Sequence, residues 1–193
     1  SRVLLSQNDP ISFGYIGSVS PIEGLDLLAR VWAQLEKKGH QNPFHVYGTG
    51  TFHQTLKELT EELNLKYFHL HGSVKPSEIS TAFNMIDVIV NPRIKSKITD
   101  TVTPLKPLEA MAYSKLVIAS DVGGMKELIE HNKTGLLFKA DDLTELEKCV
   151  SNVILKGVPT KIVSDAKDYV KKNKSWLQNA QKYKTYYEEL IRT

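Results

Sequence analysis

Short runs of consecutive apolar residues alternate along the chain with longer stretches whose apolar positions recur every three or four residues. The runs at 12–16, 43–48, 66–72, 87–92, 115–121 and 134–139 read as strands. Between them the spacing predicts helices at 21–38 and 51–64, a short helix opening at Pro76, and helices at 107–113 and 126–131. Three further helices, at 142–155, 160–172 and 176–191, close the chain. The 51–64 stretch shows the pattern plainly: Phe52, Leu56, Leu59 and Leu63 fall on one helical face.

Strict alternation of strand and helix predicts a parallel sheet with helices on both faces. The fourth and fifth strands agree, since "VIV" and "LVIA" are apolar at successive positions, as strands covered on both sides must be. The fold class expected is therefore α/β, a Rossmann-like doubly wound sheet of six parallel strands in the order 3-2-1-4-5-6. In such a sheet ligands bind beyond the carboxyl ends of strands 1 and 4, where the winding reverses. Two loops are singled out before any chemistry is considered: "GSVSPIEG" after strand 1 and "NPRIKSKITDTVTP" after strand 4.

Composition narrows the classes of function. The 193 residues suffice for one sizeable domain, and 25 basic against 22 acidic residues give a net charge of only +3. That near-balance argues against a general nucleic-acid binder, so a basic site must be local. A single cysteine, Cys149, excludes an internal disulfide framework and fits a reducing compartment. No apolar run approaches the roughly 20 residues that a membrane-spanning helix needs.

The second loop leads into a helix that carries a lysine at its start, in "TPLKPLEAM". Thr103 is the expected N-cap and Pro104 the first helical residue. The amides of Thr103, Leu105 and Lys106 then face the loop, and free amides with a helix dipole attract an anion. Lys106 alone is unfavourable there by about 0.3–1 kcal/mol. A bound phosphate would reverse that sign. Glu109, one turn on and on the same face, suits the paired hydroxyls of a ribose. Phosphate and diol together describe a nucleoside diphosphate. In the first loop, Gly17 either admits a phosphate to the backbone or serves a tight turn; the G-x-G-x-x-G fingerprint is absent. "YGTG" after strand 2 reads as a turn away from the switch point. The backbone from Gly72 to Val74, ending strand 3, is placed to pair with the edge of a base.

Taken together, "FGYIGSVSPIEGLDLL", "YGTG", "LHGSVKPSEI", the block from 102 to 138 and the final Trp- and Tyr-bearing helix resemble the carboxyl-terminal domain of family-4 (group 1) glycosyltransferases. These have the GT-B fold, two Rossmann-like domains facing across a cleft. The resemblance covers essentially the whole chain. It implies one nucleotide-sugar-binding domain over 1–193, with a flexible lead-in at 1–10, a terminal helix at 175–193, and an acceptor domain lying outside this sequence. The implied donor is a UDP- or GDP-sugar, bound by Gly17, Ser18, Gly72, Val74, Arg93, Thr103, Leu105, Lys106 and Glu109. The implied reaction moves the sugar, with retention, to an acceptor hydroxyl on a saccharide, a lipid-linked glycan or a small molecule. No cofactor or metal is expected, in keeping with the absence of an Asp-x-Asp signature. The family pairs two glutamates with seven residues between them. Glu109 matches the second, but the first position is Thr101, which leaves Asp100 as the candidate contact to the donor sugar and, with Lys106, the candidate catalytic group. Many relatives also carry basic residues where this chain has Ser18 and Glu23, so Lys106, and secondarily Arg93, is expected to replace that charge. Two other readings are a UDP-sugar epimerase-like enzyme and a non-catalytic scaffold domain without donor affinity. A cytoplasmic location is expected, peripheral to the inner membrane surface in the longer protein, and this fragment alone is expected to be inactive.

Other features read as structural. His69 and His71 share a strand face, and no metal-ligand spacing links them to His40, His45, His53 or His131. The lysine-rich "KDYVKKNKSW" reads as a solvated helix end, Cys149 as core packing, and the two Asn-Lys-(Thr/Ser) triplets as chance.

Overall fold

A computed structural model describes residues 10–174 and 176–191. The lead-in expected at 1–10 therefore lies, but for Pro10, outside the described residues. Six strands, β1 (Phe13–Ile16), β2 (Phe44–Tyr47), β3 (Phe68–Gly72), β4 (Val88–Asn91), β5 (Leu116–Ser120) and β6 (Leu136–Phe138), form one sheet. Its order is β3-β2-β1-β4-β5-β6, and every pair is parallel. The doubly wound sheet expected from the alternation is thus the fold observed. The winding reverses between β1 and β4, and their carboxyl ends define the crevice.

Helices α1 (Leu25–Lys37), α2 (His53–Glu62) and α7 (Leu143–Lys156) cover one face. Helices α3 (Ile79–Asn84), α5 (Lys106–Ala112), α6 (Gly123–Lys126) and α8 (Thr160–Asn173) cover the other. The first face is built around Trp32, whose indole packs edge-on against Phe13 and Phe44 with centroids 5.2 and 4.6 Å away. Its buried Nε1–H donates to the carbonyl of Asn42 at 2.9 Å. Such a partner removes the cost of burying an indole N–H. The terminal helix α9 (Trp176–Ile191) exposes Tyr183, Tyr186, Tyr187, Leu190 and Ile191 along one stripe.

Three local expectations need correction. The long loop after β4 contains a helix, α4 (Lys97–Thr101), which begins with a capping box. Ser96 Oγ accepts from Thr99 N–H, and Thr99 Oγ1 accepts from Ser96 N–H. Helix α5 begins at Lys106, with Leu105 and not Thr103 as its N-cap. The Thr103 hydroxyl is engaged elsewhere, donating to Glu127 Oε2. Helix α6 is the single turn Gly123–Lys126, so the helix expected at 126–131 is not formed beyond Lys126, and this turn packs closely against α4. A Cβ on Gly123 or Gly124 would collide with the carbonyl oxygen of Asp100 or Val102.

Candidate functional site

Tyr15 and Gly17 end the first strand–loop passage, and the short turn Pro21–Glu23 folds back over the segment that follows β4. The chain can do this because Gly24 adopts a left-handed φ of 67° and lies flat on the carbonyl of Pro92, where any side chain would collide. Ile94 N–H donates to Ile22 O at 3.1 Å and locks the two loops together. Helix α5 then delivers Lys106 to the same place.

The result is a buried ionic cluster at the switch point. Lys106 Nζ lies 2.9 Å from Glu23 Oε1 and donates to Tyr15 Oη at 2.6 Å. The Tyr15 hydroxyl in turn donates to the carbonyl of Ser18 at 2.7 Å. Arg93 Nε approaches the same Glu23 oxygen at 3.7 Å, and both of these side chains are 6% exposed. Arg93 also sends a guanidinium N–H to Val102 O at 3.3 Å. Glu23 Oε2 and Arg93 Nε are buried without a hydrogen-bond partner. Burial pushes the Lys106 ammonium below its ordinary pKa, while Glu23 and, more weakly, Glu109 oppose the shift. Burial first, and then Glu23, hold the Tyr15 phenol far above its usual range.

This geometry answers the question of the helix-start lysine differently from the sequence reading. Its counter-ion within the chain is Glu23. Nor does Arg93 stand open to a ligand, because its guanidinium is buried behind Glu23. Tyr15 and Glu23 were missed as partners because they are remote from Lys106 in sequence; Tyr15 is 91 residues away.

Beside the cluster, a cavity of about 270 Å³ opens at the ends of β1, β2 and β3. Ile16, Gly17, Ser18, Tyr47, Ser73 and Val74 contribute to its wall, together with Gly48 and Thr49. The "YGTG" loop is thus part of the crevice and not a remote turn. Gly48 packs onto the carbonyl of Gly17 where no Cβ fits. The adjacency of β2 to β1 in the expected strand order was the available signal. Gly72 holds φ at 73°, and its carbonyl accepts from Gly48 N–H at 2.6 Å. Lys106 packs against Gly17, so ammonium and cavity share one wall.

Leu105 and Glu109 are exposed, and Thr103 is half-buried. The amides of Leu105 and Lys106 precede the first intrahelical bonds, which run from Leu108 and Glu109 to the Leu105 carbonyl. Asp100, the candidate sugar contact, accepts from Gly123 N–H at 2.9 Å and so joins α4 to α6. A separate, larger concavity of about 610 Å³ lies between 126–134 and α8 and shares no residue with the switch-point cavity. Among the described residues no group of three or more His, Cys, Asp or Glu side chains is placed to hold a metal ion.

The sequence profile of the glycosyl transferases of group 1 matches residues 1–183. The chain belongs to this family. An uncharacterized glycosyltransferase of Methanocaldococcus jannaschii is 24% identical over 190 residues, covering 98% of this chain and 51% of the relative. The chain spans about a quarter to a half of the length of the curated relatives it matches. Solved structures of group 1 glycosyltransferases and related enzymes share the GT-B fold. Anabaena HepE, crystallised with UDP and glucose, superposes with a TM-score of 0.79 at 20% identity, covering 93% of this chain and 48% of that one. The C-terminal domain of a group 1 glycosyl transferase from Francisella tularensis gives 0.72 at 21% identity, with 86% and 87% covered.

Proposed function

We propose that this group 1 glycosyltransferase chain is the donor-binding half of its enzyme and takes a nucleoside diphosphate sugar at the β1/β4 crevice. The observation that carries the reading is the meeting of Lys106, Gly17 and the 270 Å³ cavity at that switch point. The base enters the cavity beside Val74, the diphosphate lies by Gly17, Ser18 and the Leu105 and Lys106 amides, and the ribose hydroxyls reach Glu109. Asp100 stands ready for the sugar. HepE, which has been crystallised with UDP and UDP-glucose, supports this class of ligand.

In the reaction the bond from the anomeric carbon to the diphosphate breaks while the acceptor oxygen attacks. The acceptor's proton passes to the departing phosphate. Negative charge grows on the leaving group, where backbone amides and a fixed helix dipole are worth most in a water-poor crevice. Lys106 supplies the full positive charge. The acceptor and the opposite wall of the cleft belong to a part of the enzyme outside this chain, and the apolar stripe of α9 is suited to meet it.

Calorimetric titration of the folded chain with UDP, GDP and ADP tests the reading. Saturable binding of one of them is expected, weakened by Glu109→Gln and indifferent to that change when the ligand is a 2′-deoxyribonucleotide. Absence of saturable binding by all three overturns it. A scaffold domain without donor affinity is the second reading, favoured by the pairing of Lys106 with Glu23. The same titration separates the two.

A further inference from the structure

We infer that Glu23 sets the affinity of the crevice for phosphate, by holding Lys106 until the donor takes it and then passing to Arg93. The inference rests on the donor-binding reading above and concerns how that site is regulated by its own residues.

Three features of the cluster carry it. First, Glu23 is buried and bonded to Lys106 through Oε1, whereas the Lys106 side chain retains 24% exposure and is the partner that faces the crevice. Second, Arg93 Nε stands 3.7 Å from that same oxygen, too far for a hydrogen bond, and has no other acceptor. A buried guanidinium N–H left unbonded is costly, so a partner that becomes free nearby will be taken. Third, the cluster holds two cations and one carboxylate, which leaves a single positive charge to meet a diphosphate.

The sequence of events follows from these distances. A phosphate arriving beside Gly17 attracts the Lys106 ammonium toward the crevice. Glu23 loses its 2.9 Å partner and would be an isolated buried anion. Arg93, already beside it, closes the gap and becomes its counter-ion. No proton moves and no covalent bond changes. After the exchange Glu23 is paired by Arg93 and Lys106 by the phosphate, so no buried charge is stranded, which makes an anion in the middle of a phosphate site tolerable. It also means that Glu23 competes directly with the ligand for Lys106. The crevice is therefore selective against weakly charged ligands, which cannot displace the carboxylate, and is weaker for diphosphate than its cations alone would make it.

The test is calorimetry on the wild-type chain, Glu23→Gln and Glu23→Gln/Lys106→Met with UDP and uridine, or with GDP or ADP and its nucleoside where the chain takes that base instead. The isosteric amide should tighten UDP about tenfold and leave uridine unchanged. The double variant should lose the gain. Saturable UDP binding that Glu23→Gln leaves equal or weakens overturns the inference alone. Failure of UDP, GDP and ADP to bind any of the proteins overturns the donor-binding reading and this inference with it. Should Glu23→Gln not fold, the wild-type chain supplies the measurement. The Arg93 Nε–H resonance should move downfield on saturation with UDP, as the bond to Glu23 forms. It should be found already shifted in Lys106→Met without ligand. A resonance that stays in place at saturating UDP overturns the exchange.

Discussion

Lys106 lies directly against Gly17, with its Cε methylene where a side chain at position 17 would begin. A Cβ there would meet the lysine stem and come within 3.0 Å of Nζ. Gly17 also holds φ at 152°, a conformation that other residues adopt only with strain. Gly17→Ala is expected to lower stability by about 1–3 kcal/mol, measured by urea unfolding, and to weaken UDP binding. An unchanged midpoint with unchanged affinity would show that Lys106 is not seated by this contact.

The α4–α6 contact is another place where glycine is required. Gly124→Ala puts a methyl group into the Val102 carbonyl, and the cost of forcing it is about 1–3 kcal/mol. Asp100→Ala removes the acceptor of Gly123 N–H at a lesser cost of about 1 kcal/mol. Thermal unfolding of the two variants checks the ranking. A larger loss for Asp100→Ala would mean that the carboxylate, and not the close packing, joins these helices.

His71 gives a pH dependence with a definite sign. Its imidazole is held below the ordinary value of 6.5, first by burial and then by the charge of His69. Below pH 6.5 the unfolded chain therefore takes up a proton before the folded chain does. Stability should fall as the pH drops from 6.5 through the depressed value, and rise again toward neutrality. His71→Asn should flatten that slope. An NMR titration of the His71 ring with a midpoint at or above 6.5 would contradict the geometry, in which His71 Nε2 lies 2.9 Å from His45 Nδ1 and its ring stacks on Tyr47 at 4.3 Å.

Cys149 should be a slow thiol. Burial, followed by the nearby Glu145 carboxylate, pushes its pKa up to about 11. At pH 8 little thiolate forms, so a disulfide reagent should react slowly with the folded chain and rapidly in denaturant. Equal rates in the two states would place Cys149 outside the core.

How much of this was legible beforehand depends on distance along the chain. The sheet could be read because strand and helix alternate strictly, and the apolar runs in β4 and β5 agree with strands covered on both faces. The crevice followed from that order, and with it the importance of Gly17 and Lys106. The start of α5 was misplaced because Thr103 and Pro104 carry strong local capping signals, which the bond from Thr103 to Glu127 overrides. The Glu23–Lys106–Arg93 cluster had no local signal. Its members come from a turn, a helix start and a strand exit that only the folded sheet brings together.

The same long reach has a kinetic side. Ser12 N–H donates to Asp87 Oδ2 at 2.9 Å, a bond that spans 75 residues, and β1 pairs with β4 immediately beside it. A nascent chain that has not yet emerged past β4 offers β1 no neighbour on that side, leaving the backbone edge at Phe13 and Gly14 to pair with whatever strand is at hand. Closing so large a loop is slow compared with forming any one helix. Synthesis of this domain should accordingly pass through a sticky interval, ended when the fourth strand slides in against the first.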